Sequence, residues 1–418
     1  MGSKTDTYWC HVAFISKFSH MKKRLIISTF LLVFLSPSVF SQEPQDTSVY
    51  LITCGPGTET YSIYGHSALH VAIGNNLSDN VYNWGVFDFS APHFAWKFAK
   101  GRLDYMLDVE NYRAFLQSYF YEHRYVISQK VNISPVEVRR LMELINENLK
   151  PENRNYRYDF LYDNCSTRIR DLFEKTIGKT LLYPPVEDKK PPTFRKLISK
   201  YQNPYPWLKF GVDLLLGSPV DKKAPFRDRM FLPVEMQKEL SEAVVNRSGK
   251  MIPLLQNPVT VLDFPVPSVK HHFFTTPWVV FSAVMIVIII LSSLVKSKRG
   301  NRIMDIIIWF IYSILAVMMV FFNFFTDHLE LRWNLNILWL NPFIIICFVM
   351  LLINRKGTSW FRLVFYFTAG FAVLQFILPQ YFNVAIIPLL AIILFRSSIR
   401  GDFDWNPLTL PANGDGNL

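Results

Sequence analysis

Charge is scarce in this chain. Only 18% of its 418 residues are charged while 50% are hydrophobic, and the mean hydropathy is +0.16. That balance excludes an ordinary soluble protein. Cysteine is scarce as well, with four residues at positions 10, 54, 165 and 347. The segment 42–272 is long enough to bury a core without disulfides. His66 and His70 lack a closely spaced third ligand, which argues against zinc. There is no internal repeat and no basic–aromatic repeat of the kind that builds a nucleic-acid groove.

What is present is a split between a mixed segment and an apolar one. "MKKRLIISTFLLVFLSPSVFSQ" places Lys22, Lys23 and Arg24 before an apolar run to Leu35, with Val39 and Ser41 ahead of Gln42. This reads as a secretory signal peptide with Met21 as its expected start, and residues 1–41 are set apart on that basis. Beyond Lys270 come five apolar runs, at 277–295, 303–325, 337–353, 361–378 and 384–395. They predict a bundle of about five spans over 273–400, followed by a tail over 401–418. The loops "KSKRGNR", "NRKG" and "RSSIRG" are basic, whereas "TDHLELRWNLN" and "PQYFN" are nearly neutral. Basic loops stay in the cytoplasm, so the domain at 42–272 is expected outside, in agreement with the signal peptide. The formal net charge of +11 then records membrane retention and not nucleic-acid affinity.

The exported segment reads as α+β. "SVYLITCGPG", "YSIYGHSALHVAIG" and "VYNWGVFDF" alternate as strands do. "SPVEVRRLMELINENLK" is the clearest helix, with Ser134 as cap, Pro135 at its first position and Glu137 completing a capping box. A second helix starts at Asn164, with Ile169, Leu172, Phe173 and Ile177 on one side.

That helix start raises a question about Cys165. In an exported domain, Cys54 and Cys165 can form a disulfide. Alternatively, Cys165 lies in a first helical turn, where free amide N–H groups and nearby Arg168 and Arg170 favour a thiolate. A thiol nucleophile needs a base, and His66 follows a glycine on a strand. A third residue would orient the imidazole, and "NWGVFDF" offers Asn83 and Asp88. Each of these residues also has a purely structural reading.

The motifs go further when taken together. "LITCGPGTETYSIYGHSALHV" (51–71), "YNWGVFDF" (82–89), "FAWKFAKG" (94–101), "YRYDFLYDNCSTR" (156–168) and "DLLLGSPVD" (213–221) resemble the periplasmic domain of the Bacteroidota lipoprotein N-acyltransferases. "DHLELRWNLNILWLNP" (327–342) is similar to that family's loop between its second and third spans. Histidine at 70 and tyrosine at 64 stand where the family has arginine and phenylalanine. The histidine-before-cysteine order also resembles the permuted papain-like (NlpC/P60-like) class.

The resemblance implies N-acylation of the diacylglyceryl-modified amino-terminal cysteine of a lipoprotein, with phospholipid as acyl donor, at the outer face of the inner membrane. No cofactor and no metal are expected. Cys165 matches the nucleophile and His66 its partner. Asp88 is taken as the third member over Asn83. The expected oxyanion donor is the Cys165 N–H, joined by Tyr64 or Asn164. Arg168, His328, Arg332, Asn334, Asn336 and Asn341 are expected to meet lipid headgroups. A cell-wall cysteine peptidase or amidase, and a non-enzymatic disulfide-bonded envelope protein, are the alternatives.

Overall fold

Alternation in the first strands builds a seven-stranded antiparallel sheet in the order β10-β5-β1-β2-β3-β4-β6. Its strands are β1 (Thr47–Cys54), β2 (His66–Ile73), β3 (Ser78–Val86), β4 (Asp104–Asn111), β5 (Val126–Lys130), β6 (Asn155–Arg157) and β10 (Val259–Leu262). The computed structural model describes residues 47–403 except 75–77, 186–189, 268 and 270. The expected signal peptide and most of the tail therefore lie outside the described residues.

Period-two side chains send Val49, Leu51, Leu69, Val71, Tyr82 and Trp84 into one core and Ile52, Cys54, Ala68 and Val81 into another. The first core is covered by α3 (Pro135–Leu149) and α4 (Cys165–Ile177), through Leu141, Ile145, Ile169 and Phe173. The second is covered by α2 (Tyr112–Tyr121), which inserts Phe115. The central strands are buried on both faces, with the polar Thr53, Ser67, His70 and Asn83 enclosed among apolar neighbours, and this is the rigid frame of the site. The α3 capping box forms as read: the Ser134 hydroxyl accepts from the Glu137 N–H, and the Glu137 carboxylate accepts from the Ser134 N–H. Arg247 also pairs with Glu137. A second, three-stranded sheet joins β7 (Leu181–Leu182), β8 (Val244–Arg247) and β9 (Lys250–Pro253).

Between the α+β domain and the helical region lies α5 (Pro206–Leu215). Its Phe210 and Leu214 sit in the apolar cluster of the C-terminal helices. The two regions therefore share packing, and from Asp46 onward the chain is one unit. The C-terminal helices are α6 (Pro277–Leu294), α7 (Lys298–Phe324), α8 (Phe343–Leu352), α9 (Thr358–Leu374) and α10 (Ile386–Arg400). Of these, α6 and α7 are apolar and long enough to cross a membrane. The run at 337–353 is not one helix, because Pro342 supplies no N–H and the chain before it makes only a short 3-10 turn, Leu335–Leu338. Pro388, by contrast, falls in the first turn of α10, where it is tolerated.

Contacts sort the helix ends. Arg302 reaches the Leu351 and Leu352 carbonyls, Arg362 reaches Gly401, and buried Asp305 pairs with Arg396 and Arg400. These basic segments gather at one end of the bundle. The opposite end holds the loop over 326–341 and touches the α+β domain through Arg102–Asp327 and Thr326–Ala99.

Candidate active site

The site begins with how α4 is started. The Asp159 carboxylate accepts from the N–H groups of Leu161 and Tyr162, which folds a tight turn ahead of the helix. Asn164 then caps it. Its Oδ1 accepts from the Ser166 and Thr167 N–H groups, and its Nδ2 donates to the Phe160 and Phe231 carbonyls. Cys165 is thereby fixed as the first helical residue, at the positive end of the helix dipole. The same bonds exhaust the Asn164 side chain, so it is a capping group and not a free oxyanion donor.

His66 opens β2 with its ring beside the Cys165 thiol, close enough that charge and hydrogen bonding couple the two groups. Its Nε2 stands 2.6 Å from Asn83 Oδ1. Asn83 Nδ2 in turn donates to Glu110 Oε1 at 2.7 Å. A carboxylate oxygen only accepts, so Glu110 fixes which way the Asn83 amide points. The Asn83 carbonyl then receives the proton of Nε2, leaving Nδ1 as the ring nitrogen for the thiol. Gly85 supplies the space beside this pair. It sits in a bulge of β3 at φ +91°, and a Cβ there would lie 3.9 Å from Cys165 Cβ and 3.5 Å from the Tyr158 ring.

Burial alone would push the Cys165 thiol up. The His66 charge, its hydrogen bond, the Ser67 backbone N–H and the Ser166 hydroxyl together outweigh burial, and the thiol lies below its ordinary value. Burial works to lower His66, but the Cys165 charge and the bonds to Cys165 and Asn83 prevail and raise it. Both shifts favour thiolate beside imidazolium over the neutral pair. Cys54 is different: burial pushes its thiol up to about 12. Both thiols are free, so the disulfide left open by the sequence is not formed.

The pair opens into a cleft of about 470 Å³ whose walls include Tyr64, Phe98, Tyr158, His328 and Glu330. Glu330 comes from the loop after α7, accepts from the Phe160 N–H at 3.0 Å, and has its carboxyl raised by burial. Tyr64 accepts from Gln202 at 2.7 Å.

Other expected site residues lie elsewhere. Asp88 does not meet His66; it is exposed past the end of β3 and accepts from the Ser90 N–H and hydroxyl. The strand ends at Val86, and Asn83 takes the position beside the ring. Arg168 forms a two-pronged pair with Asp163 at 2.6 and 2.9 Å and lies over the Tyr156 ring, so its charge is already engaged. Arg332 donates to the Thr326 carbonyl. Asn334 is 0% exposed and donates to the Leu214 and Leu215 carbonyls, while Asn336 binds Leu214 and accepts from Trp339. Asn341 is also buried and donates to Leu338. Asn334 and Asn336 tie the loop to α5, Asn341 bonds within the loop, and all three side chains are buried in protein. His70 is enclosed between Tyr50 and Tyr112 and bonds Asp79. Glu110 was not anticipated; only the pairing of β3 with β4 brings it to Asn83.

Comparison with known families bears on this geometry. Residues 41–200 match the Lnb N-terminal periplasmic domain, and residues 269–401 match the Lnb transmembrane domain. The two matches fall in order on one chain and cover more than half of it. The chain belongs to the Lnb family. With that architecture it is an enzyme, a lipoprotein N-acyltransferase that moves an acyl group onto the cysteine of lipoproteins. The Lnb transmembrane match covers all five C-terminal helices, α6 to α10. No curated protein and no solved structure matches the chain.

Proposed function

We propose that the Lnb reaction runs here through a thioester on Cys165, with a glycerophospholipid as acyl donor and the α-amine of a diacylglyceryl-cysteine as acceptor. The observation that carries this is the chain of contacts from the Cys165 thiol to His66, Asn83 and Glu110. It supplies a nucleophile whose ionisation the imidazole favours, a base of fixed tautomer, and a fixed orientation for that base.

In the first half-reaction the Cys165 thiolate attacks the ester carbonyl and a C–S bond forms. The C–O bond breaks, the imidazolium of His66 gives its proton to the leaving alkoxide, and lysophospholipid departs. In the second, the acceptor amine attacks the thioester while His66 takes its proton. The C–N bond forms, the C–S bond breaks, and thiolate and imidazolium are restored. The oxyanion of each tetrahedral state meets the Cys165 N–H, since the Asn164 cap already holds those of Ser166 and Thr167. One such donor lowers the barrier by about 2.7–4 kcal/mol. The cleft walls Tyr158, Phe98 and Glu330 keep water from the thioester.

The placement follows the same reading. The catalytic domain is 42–272 with a permuted papain-like (NlpC/P60-like) fold, the bundle is 273–400 with about five spans, 1–41 are an upstream segment and signal peptide, and 401–418 are a cytoplasmic tail. The gathering of Arg302, Arg362 and Arg400 at one bundle end supports a cytoplasmic side there, with the site in the periplasm at the outer face of the inner membrane.

The test is complementation of a strain lacking its native lipoprotein N-acyltransferase. Wild type restores the added acyl mass on lipoprotein amino-terminal peptides, and Cys165→Ser and His66→Ala do not. Cys165→Ala with undiminished N-acylation would overturn the mechanism.

A further inference from the structure

The helix α1 (Phe94–Lys100) and the turn before it leave aromatic rings more than half exposed. Phe89, in the turn before it, is 65% exposed, and Trp96 is 59% exposed. Lys97 and Lys100 lie in its last turn, and the Lys100 ammonium sits 5.5 Å from the Trp96 ring. Exposed aromatics beside lysines suit the boundary between headgroups and acyl chains.

Where α1 stands is set by the bundle. The last carbonyls of a helix have no partner within it. Here the loop after α7 provides them: His328 Nε2 meets the Phe98 carbonyl at 2.8 Å, the Thr326 hydroxyl donates to Ala99 at 2.9 Å, and the Asp327 N–H donates to Lys100 at 2.8 Å. Gly101 makes this approach possible, because its φ is +68° and a Cβ would come within 2.9 Å of the His328 nitrogen. Trp96 also packs 5.5 Å from Phe321, in the last turn of the apolar helix α7. The rings of α1 are therefore pinned at the level where α7 ends.

From that level a run of rings leads inward. Phe94 lies 6.0 Å from Phe87, Phe87 5.0 Å from Tyr105, and Tyr105 4.4 Å from Tyr158. Tyr158 stands beside Gly85, next to Cys165.

We propose that α1 and the turn before it lie in the outer headgroup layer and lead a phospholipid acyl chain along these rings to Cys165. The proposal rests on the thioester reading and adds how the donor arrives. The occupant is the bilayer itself. What supports it is the continuity of the exposed rings with α7, which is long and apolar enough to cross a membrane and exposes Ile307, Phe310, Ile314 and Val317 along one side.

The experiment uses the full chain in vesicles of phosphatidylethanolamine and phosphatidylglycerol, with Cys165 acylation read by intact mass. A parallel reaction in detergent uses p-nitrophenyl butyrate, a soluble short-chain ester. Phe89→Ser with Trp96→Ser, both outside the cleft lining, should slow acylation from vesicles by about 10-fold and leave the soluble ester within about 2-fold. As a second variant, Lys97→Glu with Lys100→Glu should slow the vesicle reaction more as the phosphatidylglycerol fraction rises. Wild-type vesicle rates in both variants, or equal slowing with both donors, would overturn the proposal. Failure of the wild-type chain to acylate Cys165 from either donor would instead overturn the thioester reading on which it rests.

Discussion

Asn83 Oδ1 lies 2.6 Å from His66 Nε2, and the amide is locked in that sense by Glu110. Without Glu110 the amide is free to turn and present its NH₂ to the ring, which would favour the tautomer carrying a proton on Nδ1 and leave the thiol without a base. Asn83→Ala is therefore expected to slow Cys165 acylation by about 10²-fold, within the usual range for a base that has lost its alignment. Glu110→Ala should act in the same direction. Glu110→Gln retains a carbonyl acceptor and should recover most of the rate. Single-turnover acylation compares the three; equal losses for Gln and Ala would show that the carboxylate charge, not the hydrogen bond, is what matters.

The opposed shifts of Cys165 and His66 set a pH window. The thiol pKa is lowered and the imidazole pKa raised, so the ion pair forms as pH rises through the first and is lost as pH rises through the second. These steps belong to the pair and not to either residue alone. Alkylation of Cys165 by iodoacetamide should accordingly start at a pH below that of an ordinary thiol. In His66→Ala burial acts unopposed by the imidazolium, and the onset should move up, above the wild-type position. An unchanged onset in that variant would show that the helix terminus and the Ser67 N–H suffice to ionise the sulfur.

Cys54 provides the contrast. It is fully buried, and burial pushes its thiol up to about 12. At pH 8 it should resist iodoacetamide in the folded protein. Cys54→Ala should retain N-acylation within about 3-fold, with a loss of about 1 kcal/mol from the small cavity left behind. Loss of N-acylation without loss of thermal stability would give Cys54 a role the geometry does not predict.

The local features were legible. The capping box of α3, the start of α4 at Asn164, and the Cys165–His66 pairing follow from short stretches whose chemistry is self-contained. The position of Asp88 is not legible in the sequence, because nothing in "NWGVFDF" shows that β3 bulges at Gly85 and ends at Val86. Glu110 was invisible for a related reason, since it lies 27 residues from Asn83 in sequence and approaches it only through the register of β3 with β4. The loop asparagines pose the hardest case. Polarity in a membrane loop suits a headgroup and a buried carbonyl equally well, and the partners Leu214 and Leu215 lie 120 and 119 residues away.

Asn334 can be tested on that distinction. Its Nδ2 satisfies two carbonyls at the end of α5, and its Oδ1 accepts from Gln380 and from the Asn336 N–H. Asn334→Ala strands these groups in a site without solvent and should cost about 3 kcal/mol of stability, given about 1–3 kcal/mol for each buried group left unpaired. Asn334→Asp should be no better, because a carboxylate cannot donate to carbonyls. Both variants should melt at lower temperature in detergent, while the fraction that remains folded keeps its KM for phospholipid. If thermal stability held and KM rose instead, Asn334 would be facing the donor lipid after all, and the loop would have to open to let it.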